Sequence, residues 1–123
     1  MKSFLPSMFY YGFPVVLLTT TDKDGNADVT PISCTFTLGT NAVIALVKLN
    51  KAYHNVMEVP EVVFNLPSAE MWEKVEAIAP YTAQNPVPPQ KQGKYTYTDD
   101  KFAIAGFTKL PSDKVRAPRI AGC

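Results

Sequence analysis

The chain has 123 residues, 46% of them hydrophobic and 19% charged, which is one domain's worth with enough apolar matter for a packed core. Twelve basic residues against eleven acidic ones leave a formal charge of +1, and this balance disfavours a nucleic-acid or anionic-membrane role driven by bulk charge. No apolar run approaches the roughly 20 residues of a membrane span. Lys2 is not followed by the apolar stretch and cleavage site of a secretory signal. Two cysteines, Cys34 and Cys123, make no disulfide framework, so a reducing cytoplasm is the expected location. Eleven prolines argue against a helical bundle.

Residues 1–12 read as a polar-aromatic lead-in. Pro14 to Thr21 is a continuous β-type run, the pattern of a strand buried on both faces. Asp22 to Asn26 is a turn, with Asp24-Gly25 supplying hairpin chemistry. Ala27 to Ile32 returns as the partner strand, confined by Pro31 to an edge or an end. Ser33 to Thr40 reads as irregular and hydroxyl-rich, and Ala42 to Leu49 as the next strand. Lys51 to Val59 predicts a short helix stopped by Pro60, and Glu61 to Leu66 a strand ended by Pro67. Ser68 then caps a helix through Ala79, with Met71, Trp72, Val75, Ile78 and Ala79 at helical spacing. Glu70, Glu73 and Glu76 read as its solvated face. Residues 81–98 form a long polar loop rich in Pro, Gln, Gly and Tyr. Asp99 caps a helical turn over Asp100 to Ala105, closed by Gly106, and an extended piece from Phe107 to Leu110 leads towards Ile120. Strands dominate and helices are inserted between them, so the fold class reads as mainly β, a β-barrel-like domain with inserted helices, or as an α+β domain.

Side chains for catalysis are sparse. His54 is the single histidine, which rules out a metal site built on several. No nucleophile elbow, Walker or dinucleotide glycine pattern occurs, and Cys34 reads as a buried structural thiol. An enzyme of this composition borrows its chemistry from a cofactor. Residues 28–55 are the place to hold one. Thr30, Pro31, Ile32, Ser33, Cys34 and Thr35 combine hydroxyls and backbone amides beside a proline break, which suits the polar edge of a flat heteroaromatic ring. An ordinary Ser/Thr-stabilised bend explains the same residues. Lys48, Asn50, Lys51 and His54 lie where a strand feeds a helix, a place that suits a phosphate. A basic turn in solvent has the same composition.

The order of these elements resembles the flavin reductase-like family, the FMN-binding split-barrel group that includes flavoredoxin-type proteins. The resemblance runs from about Pro14 to Ile120. It rests on Pro14 to Asn26, Val29-Thr-Pro-Ile-Ser-Cys34, Asn55-Val56, Val63-Phe-Asn-Leu-Pro-Ser68, Asp100-Lys-Phe102 and Gly106-Phe-Thr108. It implies a homodimeric split barrel binding FMN near the subunit interface. Thr30 to Thr35 would line the ring, and the loop around Asn50, Lys51 and His54 would hold the phosphate. Lys101 and Phe102 would approach the flavin or the nicotinamide side. The implied chemistry is hydride transfer from NAD(P)H to flavin, or electron exchange with a protein partner. Relatives of this type continue past the position of Ile120, so the expectation is one domain over residues 1–123 that lacks the C-terminal strands of the barrel. A non-catalytic, dimeric binding or assembly module with the same barrel and no cofactor is the alternative.

Overall fold

In the computed structural model, which describes residues 11–123, the chain is organised around one strand. The lead-in expected over residues 1–12 lies almost wholly outside the described residues. Strand β1 (Val16–Thr21) is buried along all six residues, as its unbroken apolar and threonine sequence requires. The turn after it is built by Asp22, whose carboxylate accepts the backbone N–H groups of Asp24 and Asn26 at 3.0 and 2.8 Å. Gly25 follows at φ +86°, a conformation that favours glycine. Strand β2 (Ala27–Ile32) returns antiparallel to β1, with Pro31 opposite Leu17. It forms one edge of the sheet, where a missing N–H is tolerated.

The next segment differs from expectation. Instead of an irregular stretch and a long strand, β3 (Thr35–Leu38) and β4 (Asn41–Ile44) form a hairpin around Gly39 at φ +59°. Thr35-Phe-Thr-Leu38 alternates hydroxyl and apolar residues with a period of two, which is strand patterning. Phe36 stands opposite Val43, and Phe36, Leu38 and Val43 are all exposed.

Helix α1 (Lys51–Glu58) stops before Pro60. Its buried Asn55 donates to Thr20 Oγ1 at 3.0 Å, which docks the helix on β1. Strand β5 (Val63–Asn65) pairs with the other side of β1, giving the sheet order β2-β1-β5. The helix expected from Ser68 is broken into a 3₁₀ turn (Ala69–Met71), α2 (Trp72–Ile78) and a second 3₁₀ turn (Ala79–Tyr81). The Ser68 side chain makes no capping bond. Met71, Val75 and Ile78 pack on the core, whereas Trp72, one residue off that stripe, is 62% exposed.

Residues 81–98 are anchored to the body. Ala83 bridges Asn50, and the Thr96 N–H donates to the Pro80 carbonyl at 2.9 Å. Helix α3 (Lys101–Ala105) is capped by Asp100, one residue later than expected, through the Ala103 N–H at 3.0 Å. Gly106 ends it in the left-handed region at φ +61°. Strands β6 (Lys109–Leu110) and β7 (Arg119–Ile120) pair antiparallel. Among the described residues the strands form one three-stranded and two two-stranded sheets, and none closes into a barrel.

The core gathers Leu17, Val29, Ile78, Phe102, Phe107 and Ile120 from distant parts of the chain. Asn65 ties them. Its Nδ2 donates to the Leu17 carbonyl at 3.0 Å and to Thr19 Oγ1 at 3.3 Å, while its Oδ1 accepts the Ile120 N–H at 2.8 Å. One buried amide thus joins β5, β1 and β7. Asn65→Ala leaves these groups unsatisfied and is expected to cost about 2–4 kcal/mol in urea denaturation. A loss below about 0.5 kcal/mol would show that Asn65 does not hold the strands together.

Candidate functional site

The end of β2 and the start of α1 lie close together because both pack beside β1. Near the start of β2 sits an internal ion pair. Lys101 at the first position of α3 is 2% exposed, and its Nζ lies 3.0 and 3.2 Å from the two carboxylate oxygens of Asp28. Thr30 Oγ1 donates to Asp28 at 3.2 Å and accepts from Lys101 at 3.3 Å. Burial pulls the Lys101 pKa down, the Asp28 charge and hydrogen bond oppose that, and the Lys51 charge adds to the downward direction.

Beside this cluster lies a cavity of about 420 Å³ lined by Pro31, Val47, Asn50, Ala79, Thr82, Lys91 and Tyr95. Its size is within the range of small-molecule sites. Lys91, at the end of a 3₁₀ turn (Pro89–Lys91) in the long loop, is 7% exposed. Its ammonium donates to Asn50 Oδ1, to Thr82 Oγ1 at 3.0 Å and to the Thr82 carbonyl at 3.2 Å. The Tyr95 ring lies 4.8 Å from Nζ. Among the described residues two ion pairs form, Lys101–Asp28 and Arg116–Glu61, and Lys91 is in neither. Burial pushes the Lys91 pKa down, and the Lys101 charge acts in the same direction.

A second, larger cleft of about 810 Å³ is lined by residues that include Asp22, Lys51, Tyr97, Asp99, Asp100, Lys109 and Arg116. It carries both signs of charge in quantity. Lys51 stands 5.4 Å from the Tyr97 ring there.

The residues expected to form one site are therefore divided. Pro31 and Asn50 border the Lys91 cavity, and Lys51 borders the charged cleft. Lys48, His54 and Cys34, the last against the expectation of a buried thiol, are exposed and line neither cavity, with His54 edge-on to Tyr53 at 5.4 Å. Ile32 and Ser33 are half-buried and likewise line neither. Thr35 uses its hydroxyl to bond the Val43 carbonyl across the hairpin at 2.9 Å. Three residues correct the sequence reading. The Thr30 hydroxyl and the Lys101 ammonium turn inward to Asp28, and Phe102 is a core residue 2% exposed, so none of them faces either cavity. They hold the fold together. The sequence reading missed Thr82, Lys91 and Tyr95, all in the segment taken as a surface loop. The available signal was Tyr-Thr at 81–82 and Lys-Gln-Gly-Lys-Tyr at 91–95, a hydroxyl and a basic-aromatic cluster in one excursion.

No family model matches the chain. Along 99% of its length the chain is 37% identical over 123 residues to the uncharacterised protein YdfE of Bacillus subtilis. It is 32% identical over 116 residues to an uncharacterised protein of Methanothermobacter thermautotrophicus. It spans 59% and 47% of the lengths of these two relatives. Among solved structures, flavoredoxin of Desulfovibrio vulgaris superimposes with a TM-score of 0.77 at 21% identity, covering 98% of this chain and 61% of flavoredoxin. The chain has the fold of flavoredoxin. A candidate flavin reductase with a split barrel domain, from Shewanella frigidimarina, agrees at a TM-score of 0.67 and 18% identity, covering 89% of this chain and 50% of that one.

Within this split-barrel fold the motifs that carried the resemblance are structural. Asn65 of Asn-Leu-Pro-Ser joins three strands, and Asp100-Lys-Phe supplies a cap, a buried cation and a core ring. Lys101→Met strands the Asp28 carboxylate in the interior and is expected to cost about 3–5 kcal/mol in chemical denaturation. Adding Asp28→Leu is expected to restore most of that loss. A double variant no more stable than the single one would show that the ion pair is not the constraint.

Proposed function

We propose that the protein is an FMN-binding oxidoreductase whose cofactor sits in the Lys91 cavity. The reading is supported by the split-barrel fold it shares with flavoredoxin and carried by one observation: apolar walls and a buried cation meet in that cavity. The residues fit a flat, amphipathic, anionic group. Pro31, Val47 and Ala79 supply apolar contact, Tyr95 an aromatic face, and Asn50, Thr82 and Lys91 a polar end. A bound flavin supplies hydride acceptance from NAD(P)H, or electron exchange with a protein partner, and that explains an enzyme without catalytic side chains of its own. The part played by this chain is to bind, to orient and to keep water from one side of the ring.

The β3–β4 hairpin supports a homodimer. Phe36 and Leu38, 61% and 73% exposed, share with the exposed Val43 an apolar hairpin face that a second copy would cover. Two exposed, unpaired cysteines suit a reducing cytoplasm.

Reconstitution with FMN followed by gel filtration tests the function. Flavin absorbance is expected to travel with the protein and to be released on denaturation, and a colourless protein would favour the cofactor-free assembly module. For the dimer, Phe36→Glu is expected to halve the mass measured by sedimentation equilibrium. An unchanged mass would place any association elsewhere.

A further inference from the structure

We propose that the groove bordered by α2 and the end of β5 docks a partner protein through a basic segment carrying bulky apolar side chains. Asn65 turns inward to join three strands, so alternation along the chain sends Leu66 outward, and Pro67 follows at once. Leu66 is 65% exposed. Trp72, one position off the core stripe of α2, borders the same groove with Pro14, Val15 and Val75. The groove encloses about 540 Å³, and Val15 and Trp72 are exposed along it. Contiguous apolar surface left in water and rimmed by charge marks an interaction site, and tryptophan is a favoured anchor of such sites.

Charge selects the occupant. Glu76 lines the groove, Glu73 and Glu70 precede it at three-residue spacing, and all three are exposed. None of them belongs to either ion pair formed among the described residues. The dipole of α2 favours Glu70 and Glu73 near its start but opposes Glu76 in its last turn, and Glu73 and Glu76 repel each other. Lys74 gives no relief, because it donates to the Gly106 carbonyl at 3.1 Å and lies over the Phe107 ring. Among the described residues no lysine or arginine lines the groove. Lysine or arginine from a partner supplies that charge and stacks on Trp72, while its apolar neighbours fill the groove. Anionic lipid and polyanions are repelled by the same glutamates. A second copy meeting this face across a two-fold axis would set glutamate against glutamate. A role for this partner in electron exchange is the one part that rests on the flavin reading. Ala79, directly after α2, borders the Lys91 cavity, so a segment docked at Trp72 lies about 10 Å along the helix from it.

Trp72 is the single tryptophan, so intrinsic fluorescence reports on the groove directly. The probe is a capped peptide of alternating leucine and lysine, added to the full chain with flavin absent. It is expected to shift the emission to the blue, to shield Trp72 from acrylamide and to bind more weakly as salt is added. A leucine–glutamate peptide is expected to do none of these. Glu73→Lys combined with Glu76→Lys is expected to weaken the leucine–lysine peptide about tenfold and to gain binding of the leucine–glutamate one. Trp72→Ala, followed by the anisotropy of a labelled peptide, is expected to lose a similar factor. Failure of the leucine–lysine peptide to bind, or equal binding to the charge-reversed variant, overturns the proposal. So does acrylamide quenching that is no stronger in the free protein than in the bound one, because the groove is then already covered. The two readings fail separately: a protein that takes up FMN but ignores the peptide loses only the surface, and a colourless protein that binds the peptide loses only the flavin.

Discussion

The constraint on which the rest of this structure depends is the burial of Lys101 against Asp28. A lysine at the start of a five-residue helix has no reason of its own to enter the interior, and the helix is too short to be stable alone. The ion pair supplies the reason. It fixes α3 to β2, turns the Thr30 hydroxyl inward, and sets Phe102 and Ala105 into the core beside Val29. With Thr30 committed to Asp28, the next residue on the strand, Pro31, is left to border the cavity. Fold and site therefore share one electrostatic contact between residues 73 positions apart.

Much of the fold was legible because it is written locally. The β1 run, the Asp22 turn, the proline stops at 60 and 67, and the Asp100 to Gly106 cap-and-close pattern all act within a few residues. The hairpin at 35–44 was missed because its threonines were read as hydroxyls of a bend, when their alternation with Phe36 and Leu38 is strand patterning. The site was less legible for a physical reason. Lys91 is held inside by Thr82 and by Asn50, 41 positions away, and no local property separates it from the exposed Lys94 three residues on. Basic residues at the start of α1 drew attention by position, yet Lys48 and His54 point to solvent.

The resemblance in sequence and the reading of function have different sources. Asn65, Asp100, Lys101 and Phe102 identify the fold because they hold it together, and a fold by itself does not specify chemistry. The proposed function rests on a different set, Pro31, Asn50, Thr82, Lys91 and Tyr95, which meet in one cavity. The chain spans 61% of flavoredoxin's length, so activity, partner choice and the dimer belong to the proposed reading and not to the fold.

The most direct measurement of the central claim is a crystal structure of the protein with FMN. The account predicts the flavin in the cavity bordered by Pro31, Asn50, Thr82, Lys91 and Tyr95. A flavin bound instead in the charged cleft, against Lys51, Lys109 and Arg116, would contradict it.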